Sequence, residues 1–382
     1  MNSTSTIAEE SRLDRLQSYL LEDPENDVLR ADIFDVALGL RKFELAQEQV
    51  DFFGDCSNNV FWGNRQALLY LSKKDYLTAE SFLKTLLDNC EYSPNLGYNL
   101  SFALYAQGKF EQANSYLEVL IEKQNLLQVP QAMILWMRCQ QKIGDLDRIL
   151  DTFSIHSGDL AFPMEAWGVA SLVAIDSDRP DLAKRWAEHA LKVDPRQRES
   201  LVAVGTLALS DQDVDAAKKT LKYCLDLYPG DGRAWSALGF TLMLESSFSE
   251  AQLALQRAAA SMPSHIGTWH ALGWCNLLLG DLPASQTCFE KALELDRNFG
   301  ESHGGMAVIL AVQGQKMLAN EYIERALRLD NRNVSAQYAQ ALLSGELKNK
   351  ESFSLMARRV LGRNSSLVRK SLLDDVLKRI DH

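Results

Sequence analysis

The 382-residue sequence predicts an all-α solenoid, a stack of helix-turn-helix units, and three observations carry that fold class. Trp167, Leu201, Trp235, Trp269 and His303 are spaced 34 residues apart and mark five stretches with one internal pattern. Small residues recur in fixed phase within that pattern, as Ala183, Ala217, Ala251, Ser285 and Ala319 on one line and Ala190, Cys224, Ala258, Ala292 and Ala326 on another. Turn formers keep the same phase: Gly144, Gly280 and Gly314 fall midway, while Pro195, Pro229 and Pro263 come at the end, giving way to Arg297 and Asn331. A fixed period of this length belongs to stacked supersecondary units that bury a core only against their neighbours.

Each element follows from local chemistry. Trp235, Leu238, Gly239 and Leu242 form an apolar stripe at helical spacing, and Ala251, Leu255 and Ala258 form a matching stripe on a second helix. Gly or Ala at the crossing lets the two backbones approach, while large residues above and below fill the remaining space. Between the helices Gly108, Gly144, Gly280 and Gly314 suit a left-handed C-cap. After the second helix Pro lacks an amide hydrogen and disfavours helix in its predecessor, so Leu227-Tyr228-Pro229 reads as a stop. Pro180 and Pro283 fall in the first turns of their helices, where the missing donor costs little.

The register steps from Pro130 through Met164, Arg198, Gly232, Ile266, Gly300 and Val334. Upstream, Leu100, Leu104, Gly108, Ala113 and Leu117 form one unit, Tyr70, Ala79 and Leu83 another, and Phe34, Leu38, Ala46 and Val50 a third. A two-residue excess intervenes, since Gly108 and Gly144 are 36 apart. Arg12 to Leu21, ending at Pro24, reads as a lone second helix, and the chain from Asn364 as a terminal helix. The predicted division is an N-terminal helical cap over 1–26, degenerate repeats over 27–163, regular repeats over 164–333, and a degenerate last repeat with a C-terminal capping helix over 334–382. That makes about ten units.

These residues resemble the tetratricopeptide repeat family, whose W-x2-L-G-x2-Y pattern, followed by Ala, an aromatic, Ala and Pro, recurs at the same period. Gly63 and Gly97 stand where the family prefers Trp, and Met133 and Ile149 depart further. The resemblance implies a right-handed superhelical solenoid whose concave face, lined by the first helices, holds a protein partner. Positions 2, 5, 9 and 12 of each first helix face that groove in the family, which selects Asn95, Tyr98, Phe102 and Tyr105; Arg233, Ser236, Phe240 and Met243; and Gly267, His270, Trp274 and Leu277. The expected partner-binding residues are therefore Tyr98, Phe102, Tyr105, Phe240, Met243, His270, Trp274 and Leu277. Chaperone-binding members clamp a C-terminal carboxylate with Lys at position 5 and Asn at position 9. Here position 9 holds Leu68, Phe102, Arg138, Leu172, Thr206, Phe240, Trp274 and Val308, so the clamp is absent and an apolar or amphipathic partner segment is expected instead.

Composition narrows the function. A net charge of −11 argues against general nucleic-acid binding, which rests on clustered Lys and Arg. From Lys348 to the end, nine basic residues face four acidic ones, and this stretch reads as a solvated capping segment, with docking of an acidic partner as the alternative. The opening Met-Asn-Ser-Thr-Ser-Thr precedes no apolar signal core and no apolar run approaches 18 residues, so a soluble cytoplasmic protein without a membrane span is expected. Six cysteines without a C-x2-C pair suit reduced thiols. None of the six histidines belongs to H-E-x2-H or pairs with Cys at a zinc spacing, so no metal is expected. Gly304-Gly305-Met306 lies within a first helix rather than a phosphate loop, no G-x-S-x-G occurs, and Asp211, Asp213, Asp374 and Asp375 read as caps and solvated faces. No enzymatic activity or cofactor is expected. The leading function is a non-catalytic scaffold or adaptor that binds a partner segment in its groove. The alternatives are a bacterial chaperone for secreted or membrane-inserting proteins, and a non-catalytic regulatory subunit of an enzyme or transcription complex.

Overall fold

The computed structural model describes residues 3–158 and 162–345; the basic stretch from Lys348 and the helix expected from Asn364 lie outside the described residues. Among the described residues every regular element is a helix. The chain divides into two compact units between Ala166 and Trp167.

The first unit contains α1 (Ser3–Glu22), α2 (Asp27–Gly39), α3 (Phe43–Asp51), α4 (Val60–Ser72), α5 (Tyr76–Asn89), α6 (Pro94–Ala106), α7 (Phe110–Ile121), the single-turn α8 (Lys123–Leu126), α9 (Ala132–Ile143) and α10 (Leu146–His156). Helix α11 (Met164–Asp176) leads into the second unit, with α12 (Pro180–Val193), α13 (Arg198–Ser210), α14 (Val214–Leu227), α15 (Gly232–Leu244), α16 (Phe248–Ser261), α17 (Ile266–Leu279), α18 (Leu282–Leu295), α19 (Gly300–Val312), α20 (Lys316–Leu329) and α21 (Val334–Ser344). From α11 on, first helices start at Met164, Arg198, Gly232, Ile266, Gly300 and Val334, the residues the register selects.

The small residues do what the spacing implies. A Cβ added to Gly205 would lie 2.7 Å from Leu221, one on Gly239 2.6 Å from Leu255, and one on Gly273 2.8 Å from Phe289. In each hairpin the glycine of the first helix therefore receives the large side chain that stands sixteen places later on the second. Ala217, Leu221 and Cys224 on α14 are fully buried, as are Ala251, Leu255 and Ala258 on α16. Packing at this distance leaves no slack for even one extra methyl.

The turn inside each hairpin is a Schellman closure. Arg41, Lys74, Gly108, Gly144, Asp178, Gln212, Ser246, Gly280 and Gly314 all have positive φ, between 56° and 96°. The residue after each donates its N–H back across the turn, as Arg179 N to Ala174 O at 2.8 Å and Asp281 N to Asn276 O at 2.9 Å. Asp75, Asp145, Asp213 and Asp281 then cap the second helix with their side chains. Glycine marks only some of these turns, because the hairpin imposes the left-handed residue whatever its side chain.

Successive hairpins are tied by the ring at position 4. The indole N–H of Trp235 donates to the Pro229 carbonyl and that of Trp269 to the Pro263 carbonyl, each at 2.8 Å. His303 Nε2 lies 2.8 Å from the Arg297 carbonyl. A carbonyl only accepts, so Nε2 carries the proton. Trp235 and Trp269 are thus half-buried braces rather than the fully buried core residues the apolar stripe suggests.

Three departures from the expected pattern have local causes. Helix α1 begins at Ser3 rather than near Arg12, because Ala8, Glu9 and Glu10 favour helix without needing a buried face; the packed part starts with Leu13, against Ile33 and Val36. The two-residue excess between Gly108 and Gly144 is taken up around α8, between α7 and α9. Gly63 replaces Trp because a Cβ there would lie 2.7 Å from the Cys56 carbonyl oxygen and 2.8 Å from Leu86; Trp62, one place earlier, supplies the ring and stacks on Phe53 at 4.1 Å.

The exposed, left-handed Asp178 gives a direct test. A non-glycine residue there pays roughly 1 kcal/mol of steric cost, offset in part by the entropy a glycine loses on folding. Asp178→Gly should therefore raise the stability of the second unit by about 0.5 kcal/mol in calorimetry, whereas Gly280→Ala should lower it. A lower midpoint for Asp178→Gly would contradict this account of the turns.

Candidate groove on the first helices

In the first unit one face of α6 carries Tyr98, Phe102 and Tyr105, four and three residues apart. Phe102 is 38 % exposed and meets Tyr76 edge-on at 6.4 Å. Tyr105 packs edge-on against Phe110 at 5.4 Å, and both Tyr98 and Tyr105 are half-buried. Beside them Arg138 of α9 pairs with Glu165. Burial, reinforced by Glu165 and opposed by Arg138, pushes the Tyr98 hydroxyl above its ordinary range. Burial, with Arg138 again opposing, does the same for Tyr105. Both hydroxyls therefore stay protonated and can donate or accept hydrogen bonds. The result is an aromatic surface bordered by an accessible ion pair.

A buried carboxylate fixes this surface from behind. Glu80 of α5 accepts hydrogen bonds from Lys84 at 2.7 Å, Lys109 at 2.6 Å and Gln107 at 2.8 Å, and the same Gln107 amide donates to the Tyr76 carbonyl at 3.1 Å. The α6–α7 turn is thereby clamped to the start of α5, where Tyr76 supports Phe102. Burial pushes the Glu80 carboxyl up, but the hydrogen bonds from Lys109, Lys84 and Gln107 outweigh it and hold the group at about 2.

In the second unit Phe240 on α15 is half-buried on the corresponding side, with Arg233 below it paired to Asp176 at 2.5 Å. The other four residues selected there are core. Met243, His270, Trp274 and Leu277 are buried, with Trp274 at 0 % exposure. Two of them, Trp274 and His270, pack on Phe289, an aromatic where equivalent positions carry Leu221, Leu255 and Ile323. Its ring is flanked by Gly273 and Gly305, where added Cβ atoms would fall 2.8 and 2.6 Å away. Trp274 meets it at 5.7 Å and His270 at 5.5 Å. Trp274 Nε1 donates to His270 Nε2 at 3.1 Å, which leaves His270 Nδ1 to carry the proton near Ser302 Oγ, 3.4 Å away. Desolvation pushes the His270 pKa down to about 3, so the ring is neutral and serves the core.

The chemistry-bearing residues elsewhere are quiet. The six cysteines are unpaired, and burial raises Cys139, Cys224 and Cys275 to about 12 and Cys288 to about 11. Such thiols are poor nucleophiles. Among the described residues no cluster of three His, Cys, Asp or Glu side chains has metal-binding geometry, and no helix is long and apolar enough to cross a membrane.

Repeated hairpins of fixed length, Schellman turns and small residues at each crossing decide the architecture. This is a tetratricopeptide-repeat fold. The tetratricopeptide repeat family pattern matches residues 266–299, the hairpin of α17 and α18 with its exit turn. No curated protein matches the chain. Among solved structures, the tetratricopeptide fold here is similar to one in the APC/C hetero-tetramer Cut9-Hcn1, at 14% identity and TM-score 0.57 over 88% of this chain and 67% of that one. It is also similar to human IFIT1, solved as a dimer with PPP-AAAA, at 13% identity and TM-score 0.54 over 97% of this chain and 95% of that one. The tetratricopeptide-repeat protein YrrB, described as having an unusual peptide-binding site, matches at 17% identity and TM-score 0.39 over 50% of this chain and 96% of that one.

The Glu80 clamp predicts an acid-sensitive first unit. Because its folded pKa lies below the ordinary 4.5, its stabilisation is present above pH 4.5 and is lost as pH falls from there toward 2. With two half-exposed lysines screened by water, the contribution is about 1–2 kcal/mol. Glu80→Gln should be less stable than wild type by that amount in denaturant titrations at neutral pH, and the gap should close toward pH 2.5. A gap independent of pH would contradict the clamp.

Proposed function

We propose that the chain is a non-catalytic interaction scaffold that binds an amphipathic segment of a partner protein on its first-helix faces. The observation that carries the reading is Phe102, a large aromatic left 38 % exposed between two half-buried tyrosines while the network behind it is fully hydrogen-bonded. Rigid aromatics with polar tips contribute much contact area at low entropic cost, and exposed apolar clusters mark interaction sites. Tyr98 and Tyr105 offer hydroxyls to a partner backbone, and the Arg138 and Glu165 pair offers charges to its polar face. Phe240 is the second unit's contribution. The burial of Met243, His270, Trp274 and Leu277 shortens the apolar lining, which favours an amphipathic segment over the long hydrophobic one a secretion chaperone would hold. Buried, weakly acidic thiols suit a reducing cytoplasm.

The test is affinity capture with the intact chain, followed by calorimetric titration of the captured partner's binding segment. Phe102→Ala combined with Tyr105→Ala should weaken binding by roughly 2 kcal/mol or more while helical content is kept. Unchanged affinity with intact folding would move the site away from α6. Phe240→Ala, measured alone, reports whether the second unit takes part.

A further inference from the structure

The last described hairpins carry a second surface that the groove reading does not use. Between α18 and α20, on the second helices, lies an open cleft of about 640 Å³. It is lined by His303, Tyr322, Arg297, Arg325 and Arg328, with Glu290 and Glu294 on the α18 side. It coincides with a pair of substitutions in the repeat. Where Trp235 and Trp269 fill position 4, this unit has the smaller His303; where Pro229 and Pro263 accept the ring's hydrogen bond, it has Arg297, whose backbone carbonyl still accepts it while the side chain is freed. Two repeats earlier Arg257 lies 4.5 Å over the Trp235 ring. Its equivalent Arg325 lies instead over Tyr322, at 5.6 Å, and Tyr322 stands 5.7 Å from His303. The cleft thus carries an imidazole where two earlier repeats carry an indole, and an arginine lines each of its sides.

The charges in the cleft are available. Glu290 is held by Gln286 at 2.8 Å and Glu294 by Lys291 at 2.7 Å, and none of Arg297, Arg325 and Arg328 has a carboxylate partner among the described residues. Three guanidiniums without a carboxylate partner, against two glutamates, leave this lining net positive on a chain of net charge −11. Planar guanidinium forks match carboxylates bidentately.

We propose that this cleft binds an acidic peptide segment of a partner protein, independently of the groove on the first helices. Its carboxylates would pair with Arg297, Arg325 and Arg328 while its backbone N–H groups reach Glu290 and Glu294. That mixture of cations and acceptors favours a peptide over a nucleic acid, because a peptide carries a backbone N–H donor at each residue whereas phosphodiester oxygens only accept. The basic stretch from Lys348 has the wrong sign to fill the cleft.

The experiment uses the full chain and a fluorescein-labelled heptaglutamate probe, read by anisotropy at low salt, with an octauridylate of comparable charge as the competitor class. Arg325→Glu with Arg328→Glu should weaken the probe at least about tenfold, the equivalent of losing a charge-assisted pair. His303→Trp restores the usual repeat residue and its ring N–H bond, so it should leave the thermal midpoint unchanged or higher while weakening the probe several-fold. Retained binding in both variants would overturn the proposal and place the acidic ligand on the basic C-terminal stretch. Tighter binding of octauridylate than of heptaglutamate would overturn it in favour of nucleic acid, and absence of probe binding to the wild type would overturn it outright.

Discussion

Three consecutive hairpins of the second unit close on a missing side chain, and most of the structure depends on that contact. Gly205, Gly239 and Gly273 admit Leu221, Leu255 and Phe289 so closely that a methyl group would collide. Once the crossing is fixed, the length of first helix beyond it is fixed too, and the turn must fall on one residue whose φ is positive. The second helix then runs back for a set number of turns, and the next position-4 ring lands within 2.8 Å of the carbonyl that ends it. Period, turn geometry and the tie between hairpins are therefore consequences of one packing constraint, propagated between nearest neighbours.

Much of this was legible because the constraint is written as small residues in phase. The helix starts at Arg198, Gly232, Ile266, Gly300 and Val334 follow from the period alone. Less legible were the left-handed turns at Asp178, Gln212 and Ser246, since a sequence displays side chains and not dihedral angles; only their phase relative to Gly280 and Gly314 marks them. Helix α1 extends over residues without apolar periodicity, so no pattern announced its start.

The candidate groove shows where reasoning by position fails. Of the position-9 residues expected to face a partner, Phe102 and Phe240 keep exposed surface, whereas Trp274 is buried. There Phe289 is too large for a leucine site, Gly273 and Gly305 make room for it, and Trp274 and His270 close over the ring. The warning was present in the sequence as an aromatic opposite two glycines. In the following hairpin the smaller His303 stands where Trp235 and Trp269 stand earlier, and it lines a charged cleft. Ring volume at a few repeat positions thus differs between hairpins, and with it which residues are core and which keep exposed surface.

The measurement that bears most directly on this account is a double-mutant cycle at one crossing. Gly239→Ala introduces a methyl where the nearest Leu255 carbon is 2.6 Å away, and Leu255→Ala empties the same space. Each alone should cost a few kcal/mol in denaturant unfolding, one by overpacking and the other by a cavity. If the crossing sets the fold, the pair should be less destabilised than the sum of the singles by about 1 kcal/mol or more, because the new methyl occupies the vacated volume. Additivity within about 0.5 kcal/mol would show that the two positions do not share a packing constraint and would contradict the account.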